Sequence, residues 1–188
     1  PKTAAPTLTF NTSGFPSGVN GIYTKAIDIV SGSGHETTSG FNFKVDKANP
    51  TVTVSGQLAS GSGPLVGPNP SILVDATDTH SGVVNSILKV DGTSSDSVAQ
   101  TCLAGGCSLS GARLVANTGS MSNGSHSYQV ITTDAAGNQT TVSGTFVLDK
   151  TPPTADVTAD ILDNPGTLVG EGPHTFEYDA HDVGSGVA

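Results

Sequence analysis

Apolar and polar positions alternate along residues 123–149. His126, Tyr128, Val130 and Thr132 fall on one side, and Ser127, Gln129 and Ile131 on the other. A period of two predicts a half-buried β-strand. Asp134, Ala135, Ala136, Gly137 and Asn138 interrupt it, and Gly and Asn supply the positive φ that a hairpin turn requires. Val142, Gly144, Phe146 and Leu148 then resume the alternation, until Pro152 and Pro153 end it, since neither can donate to a ladder. Further strands are predicted at 7–10, 51–55, 71–76, 83–90 and 112–116. Residues 60–70 read as a Gly/Pro-rich loop, and 92–111 as small, polar and without pattern. No long apolar pattern of period 3.6 occurs, so almost no helix is expected.

The same pattern occurs more than once. A shift of 103 positions lays Asn20-Gly21 on Asn123-Gly124, Tyr23 on His126, Gly34 on Gly137, Phe43 on Phe146 and Asp46-Lys47 on Asp149-Lys150. Farther on, Leu65-Val66-Gly67 recurs as Leu168-Val169-Gly170. Asp75-Ala76-x-Asp78-x-x-Ser81-Gly82-Val83 recurs as Asp179-Ala180-x-Asp182-x-x-Ser185-Gly186-Val187. A period near 100 fits small β-sandwich domains in series and not a solenoid of short units. On this reading residues 50–152 are one whole unit. Residues 1–49 are the C-terminal half of the unit before it, and 153–188 the N-terminal half of the unit after it. Two explanations of the halves stand side by side. The chain is a piece of a longer one, or the halves complete each other between molecules, as a donated strand completes an open sheet.

Composition narrows the partners. The 188 residues carry seven Lys and Arg against sixteen Asp and Glu, a formal net charge of −9. Phosphate backbones are bound by clustered basic side chains, so nucleic acid is excluded as a partner, and an anionic membrane surface is disfavoured. With no apolar run of about 20 residues and no basic leader, any export signal or anchor is expected to lie outside these residues.

The segments DKTPPT at 149–154, DATDTHSGV at 75–83 and TDAAGN at 133–138 resemble the bacterial Ig-like repeats of large secreted and cell-surface proteins. The resemblance implies an all-β fold of tandem immunoglobulin-like β-sandwich domains, one complete repeat flanked by two partial ones. It also implies an extracellular or cell-surface setting and neighbouring Ig-like domains in the same longer chain. The first copy departs from the pattern, with Ser31-Gly-Ser-Gly34-His35 in place of the Asp-Ala-Ala-Gly-Asn turn.

Catalytic chemistry finds no footing. His35, His80, His126, His174 and His181 are scattered, and none lies in a metal-protease spacing. No nucleophile elbow occurs, and the Gly runs at 32–34 and 61–63 do not lead into Lys-Ser/Thr, so they are no phosphate loops. Cys102 and Cys107 flank Leu-Ala-Gly-Gly. Two sulfurs do not make a zinc site, and a disulfide closing the short loop is the simpler reading, suited to an oxidising compartment. So small a ring should add no more than about 1–2 kcal/mol. A Lys–Asn isopeptide staple would have Lys25, Lys44, Lys89 and Asn85 to draw on, but no Glu stands in an evident buried strand position beside them.

The carboxylates are the candidate site. In an Ig-like sandwich the linker, the B–C loop and the F–G hairpin meet at one end. Here those bring Asp46, Asp75, Asp78 and Asp134, and in the next unit Asp149, Asp179 and Asp182. Two readings apply: a Ca²⁺ ion held by oxygen ligands, or side chains that cap their own turns by accepting backbone N–H bonds. Functionally, three expectations follow. The first is a non-catalytic spacer, a stalk or adhesin arm. The second is an adhesin module that binds a host or cell-wall glycan or protein, weakened by the absence of Trp and 5% aromatic content. The third is a homo-oligomer built through the partial domains.

Overall fold

A computed structural model describes residues 7, 9–27, 35–60, 65–102, 106–158, 170 and 177–187. The described elements are strands apart from two 3₁₀ turns, Thr12–Gly14 and Gln57–Ala59. The strands are β1 (Gly18–Ile27), β2 (Glu36–Val45), β3 (Thr51–Ser55), β4 (Leu65–Val66), β5 (Ser71–Thr77), β6 (Val83–Val90), β7 (Thr93–Ala99) and β8 (Leu109–Val115). They continue with β9 (Gly124–Asp134), β10 (Gln139–Leu148), β11 (Thr154–Thr158) and β12 (Glu177–His181). Their order places β4-β10-β9-β6-β7 in one sheet and β3-β5-β8 in a second. β1-β2 and β11-β12 form two separate pairs. Among these pairings only β4 runs parallel to its neighbour, β10.

The two larger sheets share one apolar core. Phe146, Val130, Leu88 and Val83 from one sheet meet Ile72, Val74 and Leu114 from the other, and all are 1% exposed or less. The alternation explains this directly: in β9, Tyr128, Val130, Thr132 and Asp134 are buried, as the period of two requires. Burying each large apolar side chain contributes roughly 1.5–3 kcal/mol. One polar pair interrupts the core. Ser86 and Thr132, each 0% exposed, face one another across β6 and β9 with their hydroxyls 2.6 Å apart, so each satisfies the other.

Two strands lie where the pattern predicts loop. β4 is only two residues long and pairs Leu65 with Val147. β7 is polar because it is an edge strand whose side chains bond to the other sheet. Asp96 Oδ2 accepts from the Val115 N–H at 2.8 Å, and Ser95 Oγ accepts from Asn117 N–H at 2.7 Å. Conversely, the strand expected at 7–10 is not one at Thr7, Thr9 or Phe10. Phe10 instead packs on Phe15 and Phe43, with ring centroids 6.1 and 5.2 Å away.

The hairpin registers correct the sequence alignment of the two copies. Phe43 sits opposite Asn20, and Phe146 opposite His126. So the offset of 103 holds for β2 against β10, but β1 matches β9 at 106, with Asn20 and not Tyr23 in the place of His126. Gly18 and Gly124 confirm the match: they open the two strands with φ of +114° and +125°. The added residues fall in the connection between β1 and β2, which is longer than the turn at 135–138. Gly34 and residues 32–34, 61–63 and 168–169, together with His174, lie outside the described residues.

Candidate functional site

Three of the four aspartates expected together do converge. Asp46 follows β2, Asp78 lies in the turn after β5, and Asp134 ends β9. One carboxylate oxygen from each lies within 4.8 Å of the others. Asp78 is 7% exposed and Asp134 1%. Each carboxylate is held by backbone donors from its own turn. Asp78 Oδ1 accepts from the N–H groups of His80, Ser81 and Gly82 at 3.0, 2.8 and 2.9 Å. Asp134 Oδ1 accepts from Ala136 and Asn138 N–H at 2.9 and 2.8 Å, and its Oδ2 from the Asn138 side-chain amide at 2.8 Å. Desolvation works against the charged form of Asp78, but the three N–H donors and the nearby His80 outweigh it and hold its carboxyl below the ordinary value.

Asp46 joins the two elements. Its Oδ1 accepts from Ala48 N–H at 2.9 Å, within the linker, and its Oδ2 from Ser81 N–H at 3.1 Å, in the acidic turn. The Asn138 amide donates to the Asp46 carbonyl at 3.3 Å, and the Thr140 hydroxyl to the Pro50 carbonyl at 2.6 Å. A groove of about 660 Å³ runs beside this joint, lined by Val19, Lys44, Asp46, His80 and Ala135 among others. Asp75 does not join the group. It stands on the exposed face of β5, where its Oδ1 accepts from Gly111 N–H at 2.8 Å beside a bulge in the β5–β8 ladder. Side chains alternate along a strand, and Asp75 is three residues from Asp78, across the strand end, so the two point apart.

The same arrangement recurs at the second linker. Asp149 Oδ1 accepts from Thr151 N–H at 3.0 Å, as Asp46 does from Ala48. Asp182 Oδ1 accepts from Gly184, Ser185 and Gly186 N–H at 2.9, 2.7 and 3.0 Å, as Asp78 does from its own turn. Gly184 packs directly on the Asp149 carboxylate and leaves no room for a Cβ. Asp149 Oδ2 and Asp182 Oδ2 are both buried without a hydrogen-bond partner, and Asp149 is only 9% exposed. Asp179, like Asp75, is exposed on its strand, opposite Asp156.

Such a donor set could hold a cation. Three carboxylates within a few ångströms repel one another strongly once shielded from water. Oxygen-only sites of this kind suit Ca²⁺ at about 2.3–2.6 Å. Asp46, Asp78 and Asp134 would supply the ligands at the first joint. At the second joint the Oδ2 atoms of Asp149 and Asp182 are buried without a hydrogen-bond partner, and among the described residues no third carboxylate joins them. Turn capping, the other reading, is met as well: Asp78 caps through Oδ1, and Asp46 and Asp134 accept hydrogen bonds on both oxygens.

Sequence reasoning missed the part played by the linker lysines and, though it expected the disulfide, the place where that disulfide packs. Lys150 Nζ donates to the carbonyls of Thr118, Gly119 and Met121, and Lys47 Nζ donates to Ser13 carbonyl at 2.7 Å. The Asp-Lys pair of each linker therefore binds in two directions, the lysine back to the preceding turn and the aspartate to its linker. Second, the disulfide is a buttress. Cys102 and Cys107 are joined, with Cα atoms 5.8 Å apart. Gly82, at φ +78°, lies against them, and a Cβ there would stand 2.5 Å from Cys102 Sγ. Cys107 carbonyl accepts from Val83 N–H at 2.8 Å, so the disulfide loop supports the turn that cradles Asp78. Of the lysines considered for an isopeptide, Lys25 is paired with Glu36 at 2.5 Å.

Among the described residues no helix is long and apolar enough to cross a membrane. The family model of the bacterial Ig-like domain (group 3) matches residues 5–107, more than half of the chain. The matched window runs from before β1 to Cys107, so Asp46 and Asp78 lie inside it and Asp134 outside. No curated protein matches the chain.

Proposed function

The chain belongs to the bacterial Ig-like domains of group 3, a non-catalytic family characteristic of extracellular and cell-surface proteins, and from that premise we propose that it is a stiff spacer, a segment of a stalk or adhesin arm built from Ig-like units in series. One observation carries this reading: Asp46 bonds at once to its own linker, through Ala48, and to the acidic turn of the sandwich, through Ser81. A linker tied in this way transmits orientation from one unit to the next. Pro50, whose φ is fixed, removes a further freedom.

Units in series are supported by the recurrence of the pattern, Phe43 as Phe146 and Asp46-Lys47 as Asp149-Lys150, while the family match, over 5–107, crosses the boundary at residue 50. The boundaries that go with this reading are 1–49, 50–152 and 153–188, with 50–152 complete. A divalent cation held by Asp46, Asp78 and Asp134 stiffens the joint further, by neutralising three carboxylates contributed by three separate turns.

The test is a distance distribution across the joint. Nitroxide labels at Thr38 and Ser94, both exposed positions on β2 and β7, give a narrow distribution by pulsed electron resonance if the joint is stiff. A distribution as broad as that of a flexible linker, with and without Ca²⁺, overturns the spacer reading. A narrow distribution that is indifferent to Ca²⁺ and EDTA removes the cation alone.

A further inference from the structure

We propose that His126 is a proton-operated latch: charged, it clamps the loop at 117–123, and with it the second linker, to the turn after β6, and neutral, it lets one side go. The donor count carries this. The ring's Nδ1 lies 2.7 Å from Asp91 Oδ2, and its Nε2 2.9 Å from the Ser122 carbonyl. An ionised carboxylate and a carbonyl accept and do not donate, so both bonds are made only when each ring nitrogen carries a proton. A neutral imidazole has one N–H. Its other nitrogen would turn a lone pair toward an acceptor oxygen, and the His126 side chain is only 11% exposed. From the remaining elements the ring meets Phe146 of β10, with centroids 5.5 Å apart, and the charge of Lys150 in the linker. Asp91 favours the charged ring and Lys150 opposes it. Residues 117–123 themselves carry no Asp, Glu, His, Lys or Arg.

The loop matters because it holds the linker. Lys150 Nζ donates to the carbonyls of Thr118, Gly119 and Met121. The Lys150 N–H donates to Asn123 Oδ1 at 3.0 Å, and Asn123 Nδ2 to Thr151 Oγ1 at 2.6 Å and to Asp149 Oδ1 at 3.4 Å. A loop freed on one side carries all these contacts with it. The first hairpin has the same contacts without the histidine. Lys47 Nζ donates to the Ser13 carbonyl at 2.7 Å, and its N–H to Ser17 Oγ at 3.2 Å. Asn20, in the place of His126, donates to the Pro16 carbonyl, four residues back, at 2.9 Å, as His126 does to Ser122. An amide needs no charge to do so, and among the described residues Asn20 bonds no carboxylate. This contact therefore holds the first linker at any pH, and the second fully only while His126 is charged. The effect on the joint rests on the spacer reading.

Nitroxide labels at Ser97 and Glu177, exposed on β7 and β12, read the second joint in the whole chain, and labels at Thr38 and Ser97 read the first. From about pH 5 to about pH 9, on either side of an ordinary histidine, the second joint is expected to lose its narrow distance distribution while the first keeps it. His126→Asn, which copies the first hairpin, abolishes the response. Asp91→Asn keeps the second joint narrow at the higher pH, because its amide donates to a neutral Nδ1 while its oxygen still accepts from Ser127 N–H. A second joint narrow at both pH values overturns the latch and leaves the spacer reading standing. One broad at both overturns the two together. A pH response that survives in His126→Asn, or that is equal in the first joint, overturns the latch as well.

Discussion

Asp46 Oδ2 accepts a hydrogen bond from the Ser81 backbone N–H at 3.1 Å, across 35 residues of chain. The bond ties a linker to the turn whose other N–H groups are already committed to Asp78. The turn is therefore shared by two carboxylates, one local and one from the preceding element.

Removing Asp78 should unfasten that turn. Asp78→Ala leaves the His80, Ser81 and Gly82 N–H groups without their shared acceptor in a buried place, at a cost of about 1–3 kcal/mol. Asp75→Ala, which leaves the turn alone, should cost less. Urea unfolding of the two variants compares them; equal losses would contradict separate roles for the two carboxylates.

Calcium should raise the melting temperature. A ligand at a hundred times its dissociation constant stabilises by about 2.7 kcal/mol. In a domain near 100 residues this corresponds to a rise of at least several degrees. Asp134→Asn should abolish most of the rise, since it removes a charged ligand but keeps a side chain that can accept from Ala136 and Asn138. Scanning calorimetry in Ca²⁺ and in EDTA measures it.

Stability should also depend on pH through a clasp on the far side of the sandwich. His126 Nδ1 lies 2.7 Å from Asp91 Oδ2, and its Nε2 2.9 Å from the Ser122 carbonyl. The Asp91 hydrogen bond first, then that to Ser122, raises the His126 pKa. The His126 bond first, then the Ser127 N–H, lowers that of Asp91. The histidine's contribution is complete below its unfolded value of about 6.5 and fades as pH rises through its folded value. The aspartate's contribution is complete above about 3.9 and fades as pH falls through its folded value. The clasp should therefore stabilise most between about pH 4 and 6.5. In His126→Gln, stability should lose this component of its pH dependence, which denaturant midpoints across the range would show.

Gly82→Ala should be the harshest small substitution in the turn. It forces an L side chain to φ +78° and drives a methyl into Cys102 Sγ and Cys107 N. The cost should exceed the roughly 1–2 kcal/mol expected from Cys102→Ser with Cys107→Ser. Thermal melts of both variants, with the native disulfide confirmed by intact mass, decide the order.

Much of the fold is legible in the residues. The alternation through Tyr128, Val130 and Thr132 is what a strand with one buried face must show, and β9 buries those three. Cys102 and Cys107 stand close enough in the chain to pair, and they do. Asp78 at the head of Thr-His-Ser-Gly reads as a turn cap because its carboxylate reaches the next N–H groups without help. What fails to read is polar and nonlocal. β7 looks like loop because its Ser and Asp side chains bond β8 and the residues beyond it, and no neighbour in sequence betrays that. The first hairpin aligns three residues off because its connection differs in length, which only the ladder reveals.

Period, turn residues and charge, all local or additive along the chain, determined that this protein is made of strands, that its pattern recurs, and that it is acidic. Which carboxylates meet was decided in three dimensions. Asp75 and Asp78 look interchangeable in sequence, yet one faces out along β5 and the other turns in toward Asp46 and Asp134, 32 residues before it and 56 after it in the chain. Pleating separates neighbours, and sheet packing joins residues that are far apart along the chain.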